Sequence, residues 1–264
     1  MLVFPQLTTG GAALYPLIRQ RAARTVLNTM PDGHTVGYSD AGAAQTQWEL
    51  HAAGLTAAEW NAMEALFQAA SGRLQTFTFL DPAGNLLASS EEFGAAAWSN
   101  GALIQLITGI DDPLGTMRAT RAVNSGQAAQ AVAQTLNVPG TFRYSLSIWA
   151  RSVGGSAVTL IVSTTGGNAA QTFSPGGQWQ RVKLSANLGL NTSDVTFAAQ
   201  LAAGASVDLF AMQVDAQPAP SEYRQTEANG GVYANARFAA DQISVRAQGT
   251  DVFDAVVRIV TNGY

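Results

Sequence analysis

Residues 252–261 read VFDAVVRIVT. The alternation in this stretch places two polar side chains, Asp254 and Arg258, opposite a face formed by Phe253, Ala255, Val257 and Ile259. A period of two predicts a half-buried strand, and a second strand over 242–247 would pair with it around Gln248-Gly249 as a hairpin. Two strands alone are marginally stable and need a larger sheet. The N-terminal segment offers unfinished β structure, so we expect the chain between the two ends to be an insertion.

The first 54 residues combine short strands with turns. Candidate strands cover 23–30 and 46–51, and the second alternates as a half-buried strand should. Turn sequences occur at Pro31-Asp32-Gly33 and at Asp40-Ala41-Gly42. This pattern predicts irregular β structure at the start of the chain.

A helix is predicted over 56–71. Thr56 is a good N-cap residue, and Glu59 three positions later completes a capping box. The apolar side chains that share one face are Trp60, Met63, Leu66 and Phe67. A strand over 73–81 follows and ends at the turn sequence Asp81-Pro82-Ala83-Gly84.

After Asn85 the sequence pattern changes to predicted strands separated by polar, glycine-containing loops. Residues 142–149 alternate strictly, with the inward face formed by Phe142, Tyr144, Leu146 and Ile148. Further strands are predicted over 157–163, 179–184, 195–201 and 207–214, while 128–136 is interpreted as strand or loop. Regular strands with turn signals between them predict an antiparallel β-sandwich. We therefore expect one domain built from 1–84 and 228–264, interrupted by an inserted sandwich over 85–227, and a mainly β fold with one helix.

The composition favours a protein that forms part of an assembly. Of the 264 residues, 12% are charged, about half the usual share of roughly 25%. So little charge fits a surface that other subunits cover, because an isolated monomer normally needs charge for solubility. The net charge of −4 and the single lysine, Lys183, predict no nucleic-acid binding. The absence of cysteine excludes disulfides and thiol catalysis, and we expect neither a signal peptide nor membrane insertion.

Few residues could carry catalysis or hold a metal. His34 lies in a turn and His51 at the end of a strand, and neither has the spacing of a metal site around it. A glycosidase needs two carboxylates across a cleft. In the acidic pairs Glu91-Glu92 and Asp111-Asp112, adjacent residues would point apart in extended chain, and we interpret all four as solvated loop acids. We therefore predict no catalytic residue, no metal site and no enzyme activity.

Trp149 is the most interesting side chain for binding. Alternation puts it on the same strand face as Arg143 and Arg151, opposite the inward residues, and Phe210 lies on the face opposite Leu209. Trp149, Arg151 and Phe210 could stack on a sugar and hydrogen-bond to it. The alternative is that Trp149 belongs to a second layer of the sandwich or is covered by a loop.

A local basic cluster lies near the start of the chain. It consists of Arg19, Arg21 and Arg24. We interpret it as an exposed loop, with a role at an interface between subunits as the alternative.

The middle block contains motifs of one known group of proteins. They are NLLASSEEF at 85–93 with AW at 97–98, YSLSIWAR at 144–151, WQRV at 179–182, VDLFAMQV at 207–214 and PSEYRQT at 220–226. With these motifs the block resembles the carbohydrate-binding-like jelly rolls of many phage tail and capsid-decorating proteins. It departs from their pattern at Phe210, where a Trp is common. The resemblance implies possible binding of host-surface glycans and a possible structural calcium held by Glu92 and Asp208; no other cofactor is expected.

The flanking segments resemble phage tail-tip proteins of the distal tail type. The resemblance rests on FPQL at 4–7, WEL at 48–50, LTAAE at 55–59 and GRLQTFTFLDP at 72–82. It implies a ring, usually a hexamer, between the tail tube protein and the tail hub proteins, with the insertion as its decoration. The expected location is the tail tip of a virion assembled in the host cytoplasm. Two alternatives stay open: a stand-alone lectin-like adhesin, and a carbohydrate-active enzyme with an unrecognised carboxylate pair.

Overall fold

The chain forms two compact units in a computed structural model that describes residues 2–11 and 13–262. The flanking unit contains the chain up to Phe79, apart from Thr9–Gly11, and the chain from Tyr233 onward. The inserted unit contains Thr9–Gly11 and Leu80–Val232. The chain thus passes from one unit to the other after Phe79 and returns after Val232.

The structure is mainly β, which confirms the predicted fold class. The described residues contain one helix, α1 (Ala57–Ala69). The strands among them, in chain order, are β1 (Leu17–Thr29), β2 (Thr35–Leu55), β3 (Phe77–Leu80), β4 (Ser99–Asn100), β5 (Ile104–Ile110), β6 (Ala119–Asn124), β7 (Gln130–Leu136), β8 (Arg143–Arg151), β9 (Val158–Thr164), β10 (Gly167–Phe173), β11 (Gln180–Asn187), β12 (Val195–Leu201), β13 (Ser206–Asp215), β14 (Val232–Phe238), β15 (Val245–Gly249) and β16 (Val252–Asn262).

The sheet of the flanking unit has the order β1-β2-β16-β14-β3, and β15 also pairs with β16. The strand with which the sequence analysis began, β16, runs antiparallel to β2, so that Val257 lies opposite Leu50 and Ile259 opposite Trp48. Val257 and Ile259 are buried, as the alternation predicts. The N-terminal segment is therefore the host sheet of the terminal hairpin. The turn lies at 250–251 and not at Gln248-Gly249, because Gly249 pairs with Val252.

Aromatic side chains form the centre of the flanking unit. Trp48 is fully buried, and the centroid of its ring lies 5.1 Å from the Phe79 ring and 4.6 Å from the Tyr233 ring. The Phe4 ring packs edge-on against Phe79 at 5.6 Å. Burying one such side chain stabilises the folded state by about 1.5–3 kcal/mol. This cluster ties β2, β3 and the start of β14 to the N-terminal segment.

The helix α1 begins after the predicted N-cap residue, Thr56, and ends at Ala69, two residues before the predicted end. The Thr56 hydroxyl accepts a hydrogen bond from the Glu59 backbone N–H at 3.3 Å, and the Glu59 carboxylate accepts one from the Thr56 backbone N–H at 2.9 Å. The predicted capping box is thus confirmed. The helix buries Trp60, Met63 and Leu66. No helix of the described chain is long and apolar enough to cross a membrane.

The inserted unit is an antiparallel sandwich of two five-stranded sheets. Their orders are β10-β9-β12-β7-β4 and β11-β8-β13-β6-β5. Tyr144, Leu146 and Ile148 on β8 are buried between the sheets, as their alternation predicts. Residues 128–136, interpreted as strand or loop, contain the whole of strand β7.

The entry and exit of the inserted unit are held together by buried hydrogen bonds. The Asp81 backbone N–H donates to the Gly231 carbonyl at 2.9 Å, and the Gly231 N–H donates to the Asn85 carbonyl at 2.7 Å. The Asn85 side chain, fully buried, donates to the Met212 carbonyl and accepts from the Val214 N–H. Gly230 passes so close to the backbone of Leu86 that a Cβ atom would overlap its carbonyl oxygen.

Because of this close approach, a substitution at Gly230 tests how the entry and exit of the inserted unit are held together. Gly230→Ala should lower the free energy of unfolding of the inserted unit by about 2 kcal/mol, because the Cβ forces two backbone segments apart. Gly177→Ala is the matched control, since nothing lies within 4 Å of the position of its Cβ. Thermal unfolding followed by circular dichroism compares the two. Equal midpoints for the two variants would show that the close approach at Gly230 is not required.

Candidate functional site

The predicted binding residues lie on the outer face of the sheet β11-β8-β13-β6-β5. Trp149 on β8 pairs with Arg181 on β11 and with Phe210 on β13. Two residues further along β8, Arg151 pairs with Asp208 on β13. Residues that pair directly across antiparallel strands share a face, with Cβ atoms about 5 Å apart. The structure therefore brings Trp149, Arg151 and Phe210 together on the face opposite the sandwich core.

Phe210 is not available to stack on a ligand. Only 1% of the residue is exposed, and its ring packs 5.9 Å from the Tyr223 ring and beneath the Arg118 guanidinium at 5.5 Å. A distortion of β13 at Ala211, whose φ is 58°, accompanies this placement. The prediction that Phe210 contacts a sugar is wrong, because segments distant in the sequence cover its ring.

Trp149 is partly buried and keeps part of its ring at the surface. It packs against a small apolar cluster of Ala119, Phe210 and Ala211, together with Trp179. The residue therefore packs on the protein and stays partly accessible to solvent. Of the three predicted residues, Trp149 offers the aromatic surface that a ligand can reach.

Arg151 and a second arginine hold the carboxylate of Asp208. Arg151 Nε donates to Asp208 Oδ2 at 2.9 Å, and Arg121 Nε donates to Asp208 Oδ1 at 2.6 Å. The Arg151 guanidinium also lies 4.7 Å from the centre of the Trp179 ring. Burial on its own would raise the pKa of Asp208, but the hydrogen bonds from Arg121 and Arg151 outweigh it and hold the pKa below its ordinary value.

This ion pair does not favour Asp208 as a ligand of the possible calcium that the resemblance implies. Both carboxylate oxygens of Asp208 already accept hydrogen bonds from guanidinium groups, which leaves no free pair of oxygens for a hard cation. Glu92 is exposed. Among the described residues no group of three or more His, Cys, Asp or Glu side chains could hold a metal ion.

Each of the two acidic pairs has one buried member, so the prediction of four solvated loop acids is wrong for Glu91 and Asp112. Glu91 accepts hydrogen bonds from Arg118 at 2.8 Å and from the Tyr223 hydroxyl at 2.9 Å. Burial, the largest influence, raises the pKa of Glu91. Glu92 and Asp111 are exposed, because adjacent residues point apart.

Asp112 organises the loop that precedes β6. Its carboxylate accepts hydrogen bonds from the backbone N–H groups of Leu114 and Arg118. Burial opposes ionisation, but these bonds and one from the Thr116 hydroxyl hold the pKa of Asp112 below its ordinary value. Arg118 lies between Asp112 and Glu91. Both buried carboxylates are thus engaged by the protein.

The two histidines belong to the flanking unit. His34 lies at the exposed end of the β1–β2 hairpin, 3.5 Å from Asp32. His51 Nε2 lies 2.7 Å from Glu49 Oε1, and Arg258 Nε donates to Glu49 Oε2 at 2.7 Å. Hydrogen bonds from Arg258 and then His51 lower the pKa of Glu49. These three side chains help to line an open cavity of about 380 Å³.

A second candidate surface, missed by the sequence analysis, is the outer half of the β1–β2 hairpin. The strands are longer than predicted, and β16 accompanies β2 only as far as the pair Gln45–Asn262. Residues 24–40, here called the arm, therefore form a ribbon of two strands, with which no third strand of the described residues pairs. The sequence Pro31-Asp32-Gly33 forms its end, where the Gly33 N–H donates to the Met30 carbonyl at 2.9 Å.

The arm exposes apolar side chains on both faces. Val26 pairs with Tyr38 on one face, where their exposed fractions are 37% and 53%. Leu27 on the other face is 65% exposed and lies over Gly37. A two-stranded ribbon is marginal in water, and exposed apolar patches mark interaction sites.

The basic cluster lies at the base of this arm. Arg19, Arg21 and Arg24 are exposed, as predicted, but they lie on strand β1 and not in a loop. Arg19 donates to the Tyr233 hydroxyl at 2.9 Å, and Arg24 lies 3.4 Å from Asp40. The expected turn at 40–42 is also absent, because these residues continue β2 through a register shift.

Solved structures with similar folds are carbohydrate-binding modules and a phage tailspike domain. The module TmCBM61 in complex with beta-1,4-galactotriose is 15% identical with a TM-score of 0.39, over 49% of this chain and 97% of that one. The CBM22-1 xylan-binding domain of Paenibacillus barcinonensis Xyn10C is 14% identical with a TM-score of 0.43, over 53% of this chain and 99% of that one.

The third likeness is to a phage protein. The enzymatically active domain of tailspike protein 4 from bacteriophage CBA120 is 14% identical with a TM-score of 0.42. It is matched over 52% of this chain but only 22% of its own length. No protein-family model and no curated protein matches the sequence.

The Asp208 ion pair predicts how the stability of the inserted unit depends on pH. The folded-state pKa is lowered, so the stabilisation is present above the unfolded pKa of about 3.9 and is lost as the pH falls through the folded value. Asp208→Asn should lower the free energy of unfolding at pH 7 by about 2 kcal/mol, because two arginines lose their partner.

The same variant should flatten the acid side of the stability curve. Urea unfolding between pH 3 and 7 measures both effects, and Asp111→Asn, an exposed acid of the same unit, controls for the change in charge. A curve for Asp208→Asn that coincides with the control would contradict a stabilising ion pair.

Proposed function

We propose that this chain is a non-enzymatic structural subunit of a phage tail tip, of the distal tail type, that assembles with copies of itself through the arm. The observation that carries the proposal is the unaccompanied ribbon of residues 24–40 with its exposed apolar side chains. Its partners would be further copies in a ring, six according to the family resemblance, and the tail tube and hub proteins. Its location would be the tail tip of the virion.

Symmetry supports the view that further copies of the same chain cover the arm. Most soluble oligomers are closed assemblies of one chain, and in a ring every copy both offers an arm and covers one. A closed ring therefore leaves no apolar ribbon in solvent. Strand ribbons with free edges are also suited to pairing between chains.

The inserted unit would bind glycans of the host surface. Support comes from the partly exposed ring of Trp149, with Arg181 and Arg151 beside it on one sheet face. Aromatic rings offer a flat apolar area to a sugar, while the neighbouring guanidinium groups supply donors. A ring that carries several copies would turn weak single contacts into firm attachment.

The absence of catalysis is part of the proposal. The buried carboxylates Glu91 and Asp112 are bonded to Arg118 and to the backbone. Neither is left free to act as a general acid or a nucleophile. Turnover of a bacterial polysaccharide by the purified chain would revive the enzyme alternative.

A lectin-like adhesin is the second candidate. The inserted unit has its own core and carries the partly buried Trp149, so it could bind glycans without a ring. The two candidates differ in oligomeric state, because a free adhesin has no need for the arm.

Removing the apolar side chains of the arm should abolish assembly. The triple variant Val26→Ser, Leu27→Ser, Tyr38→Ser should be monomeric at concentrations where the natural chain is a closed oligomer, because these side chains contact solvent and not the core of their own copy. Multi-angle light scattering and native mass spectrometry measure the mass.

The matched control is Leu114→Ser, Met117→Ser, Val153→Ser, which removes three exposed apolar side chains from the inserted unit. It should stay oligomeric. A monomeric natural chain would favour the adhesin instead, and an oligomer that survives the arm substitutions would place the interface elsewhere.

Alanine variants of Trp149 and Phe210 should distinguish an effect on glycan binding from an effect on folding. Trp149→Ala should weaken binding to a glycan array by roughly tenfold, since a stacked aromatic contributes about 1–1.5 kcal/mol, while the unit stays folded. Phe210→Ala should instead destabilise the unit by about 3 kcal/mol, because its ring is buried. Glycan binding and thermal unfolding are measured on both. Unfolding of Trp149→Ala would mean that its indole serves the core.

A further inference from the structure

The edge strand β11 presents two cations beside Trp149. Alternation along β11 sends Val182, Leu184 and Ala186 into the core. Arg181 and Lys183 therefore point to the outer face, where Arg181 pairs with Trp149 and Lys183 with Ser147. Residues two apart on a strand are separated by about 6.6 Å. A guanidinium, an ammonium and an indole thus lie within reach of one small ligand.

Hydrogen bonds among the described residues engage only part of the Arg181 guanidinium. One of its terminal nitrogens, Nη2, donates to the Ser147 hydroxyl at 3.0 Å. Its Nε is buried and has no hydrogen-bond partner among the described residues. A guanidinium has five N–H donors in a planar fork that matches carboxylate and phosphate groups. The protein alone therefore does not satisfy Arg181.

Lys183 is exposed and is the only lysine of the chain. No carboxylate pairs with it across the ladder, since its neighbour on β8 is Ser147 and the next residue on β13 is Gln213. An ammonium in this position is open to a ligand from solution.

The two acids of this face interact with arginines and not with Lys183. Asp208 is held by Arg121 and Arg151. Asp215 is buried at 3% exposure; burial raises its pKa, while hydrogen bonds from Ser221 and Gln213 and the nearby charge of Arg181 act in the opposite direction. The surface that a ligand meets at Lys183 is therefore positive, although the whole chain has a net charge of −4.

The outer face of the other sheet provides an internal contrast. Its cross-strand rows carry no charged side chain among the paired positions, which are Thr172, Thr159, Gln200 and Ala131; Ala170, Ile161, Ala198 and Ala133; and Asn168, Ser163, Thr196 and Thr135. The two outer faces of one sandwich thus differ sharply in charge. The cations near Trp149 are a local feature and not a property of the whole unit.

We infer that the face around Trp149, Arg181 and Lys183 binds an anionic saccharide. The sugar ring would stack on the indole of Trp149, and its carboxylate or phosphate group would bind between Arg181 and Lys183. Aromatic area alone would suit any sugar, whereas an exposed ammonium and an incompletely hydrogen-bonded guanidinium beside it favour an acidic one. This inference rests on the proposed glycan binding of the inserted unit and names the class of glycan that would bind.

The test compares acidic and neutral polysaccharides on the full chain. Polygalacturonate presents carboxylates, a phosphomannan presents phosphates, and xylan is the neutral probe. Affinity electrophoresis in gels that contain each polymer should retard the protein with at least one acidic polymer and much less with xylan. Which acidic polymer retards it identifies the anionic group. Retardation should weaken as salt is raised, because screening reduces charge attraction.

Single substitutions locate the site. Lys183→Gln and Arg181→Gln should each weaken binding to the acidic polymer by roughly tenfold, since a charge-assisted hydrogen bond contributes about 1.5–3 kcal/mol. Arg246→Gln is the matched control, because it removes one positive charge from the exposed strand β15 of the flanking unit. It should bind as the natural chain does.

The outcomes separate this inference from the function on which it rests. Binding to xylan alone, or acidic binding that Lys183→Gln and Arg181→Gln leave unchanged, would overturn the inference and leave glycan binding intact. An equal loss with Arg246→Gln would overturn it too, because attraction would then depend on total charge. No retardation by any polymer, at a salt concentration where the chain is folded, would overturn both glycan binding and its anionic class.

Discussion

The pairing of β16 with β2 is the constraint on which the rest of this structure depends. It joins residues 45–55 to residues 253–262, so the chain that leaves the sheet between them must return to it. The chain leaves after β3 and returns at β14, and these two strands are neighbours in the sheet. The inserted unit then has to bring its own two ends together, which the bonds from Asp81 to Gly231 and from Gly231 to Asn85 achieve.

The same pairing explains why the arm is unaccompanied. The described part of β16 pairs with β2 as far as Gln45, whereas the pairing of β1 with β2 continues beyond it to the pair Thr29–Thr35. Extending a hairpin past its sheet has a cost, since two strands without a hydrophobic face to bury are marginally stable. A partner that covers the arm removes that cost, which is why assembly is the function that the flanking unit best supports.

Local patterns predicted those parts of the fold in which one face is buried against the same chain. The alternation of β8 and β16 and the capping box at Thr56 are of this kind. The arm was only partly predictable, because Val26 and Leu27 are adjacent and face opposite sides, and a strand exposed on both faces has no alternation. The residues 40–42 have the composition of a turn but lie within β2, because pairing with β1 resumes beyond them.

The candidate site was predictable in its position but not in its contacts. Alternation placed Trp149 on the correct face, and the same reasoning applied to β11 would have found Arg181 and Lys183. The burial of Phe210 depends on Tyr223 and Arg118, and the engagement of Asp208 depends on Arg121 and Arg151. These partners come from segments distant in the sequence, and no local signal marks which of them will meet.

The central claim is that a second copy covers the arm. Hydrogen–deuterium exchange of residues 24–40, followed by mass spectrometry over a series of protein concentrations, tests it most directly. The account predicts that the arm amides are protected at high concentration and lose protection on dilution, while those of β8 stay protected throughout. Rapid exchange of the arm at every concentration would contradict it.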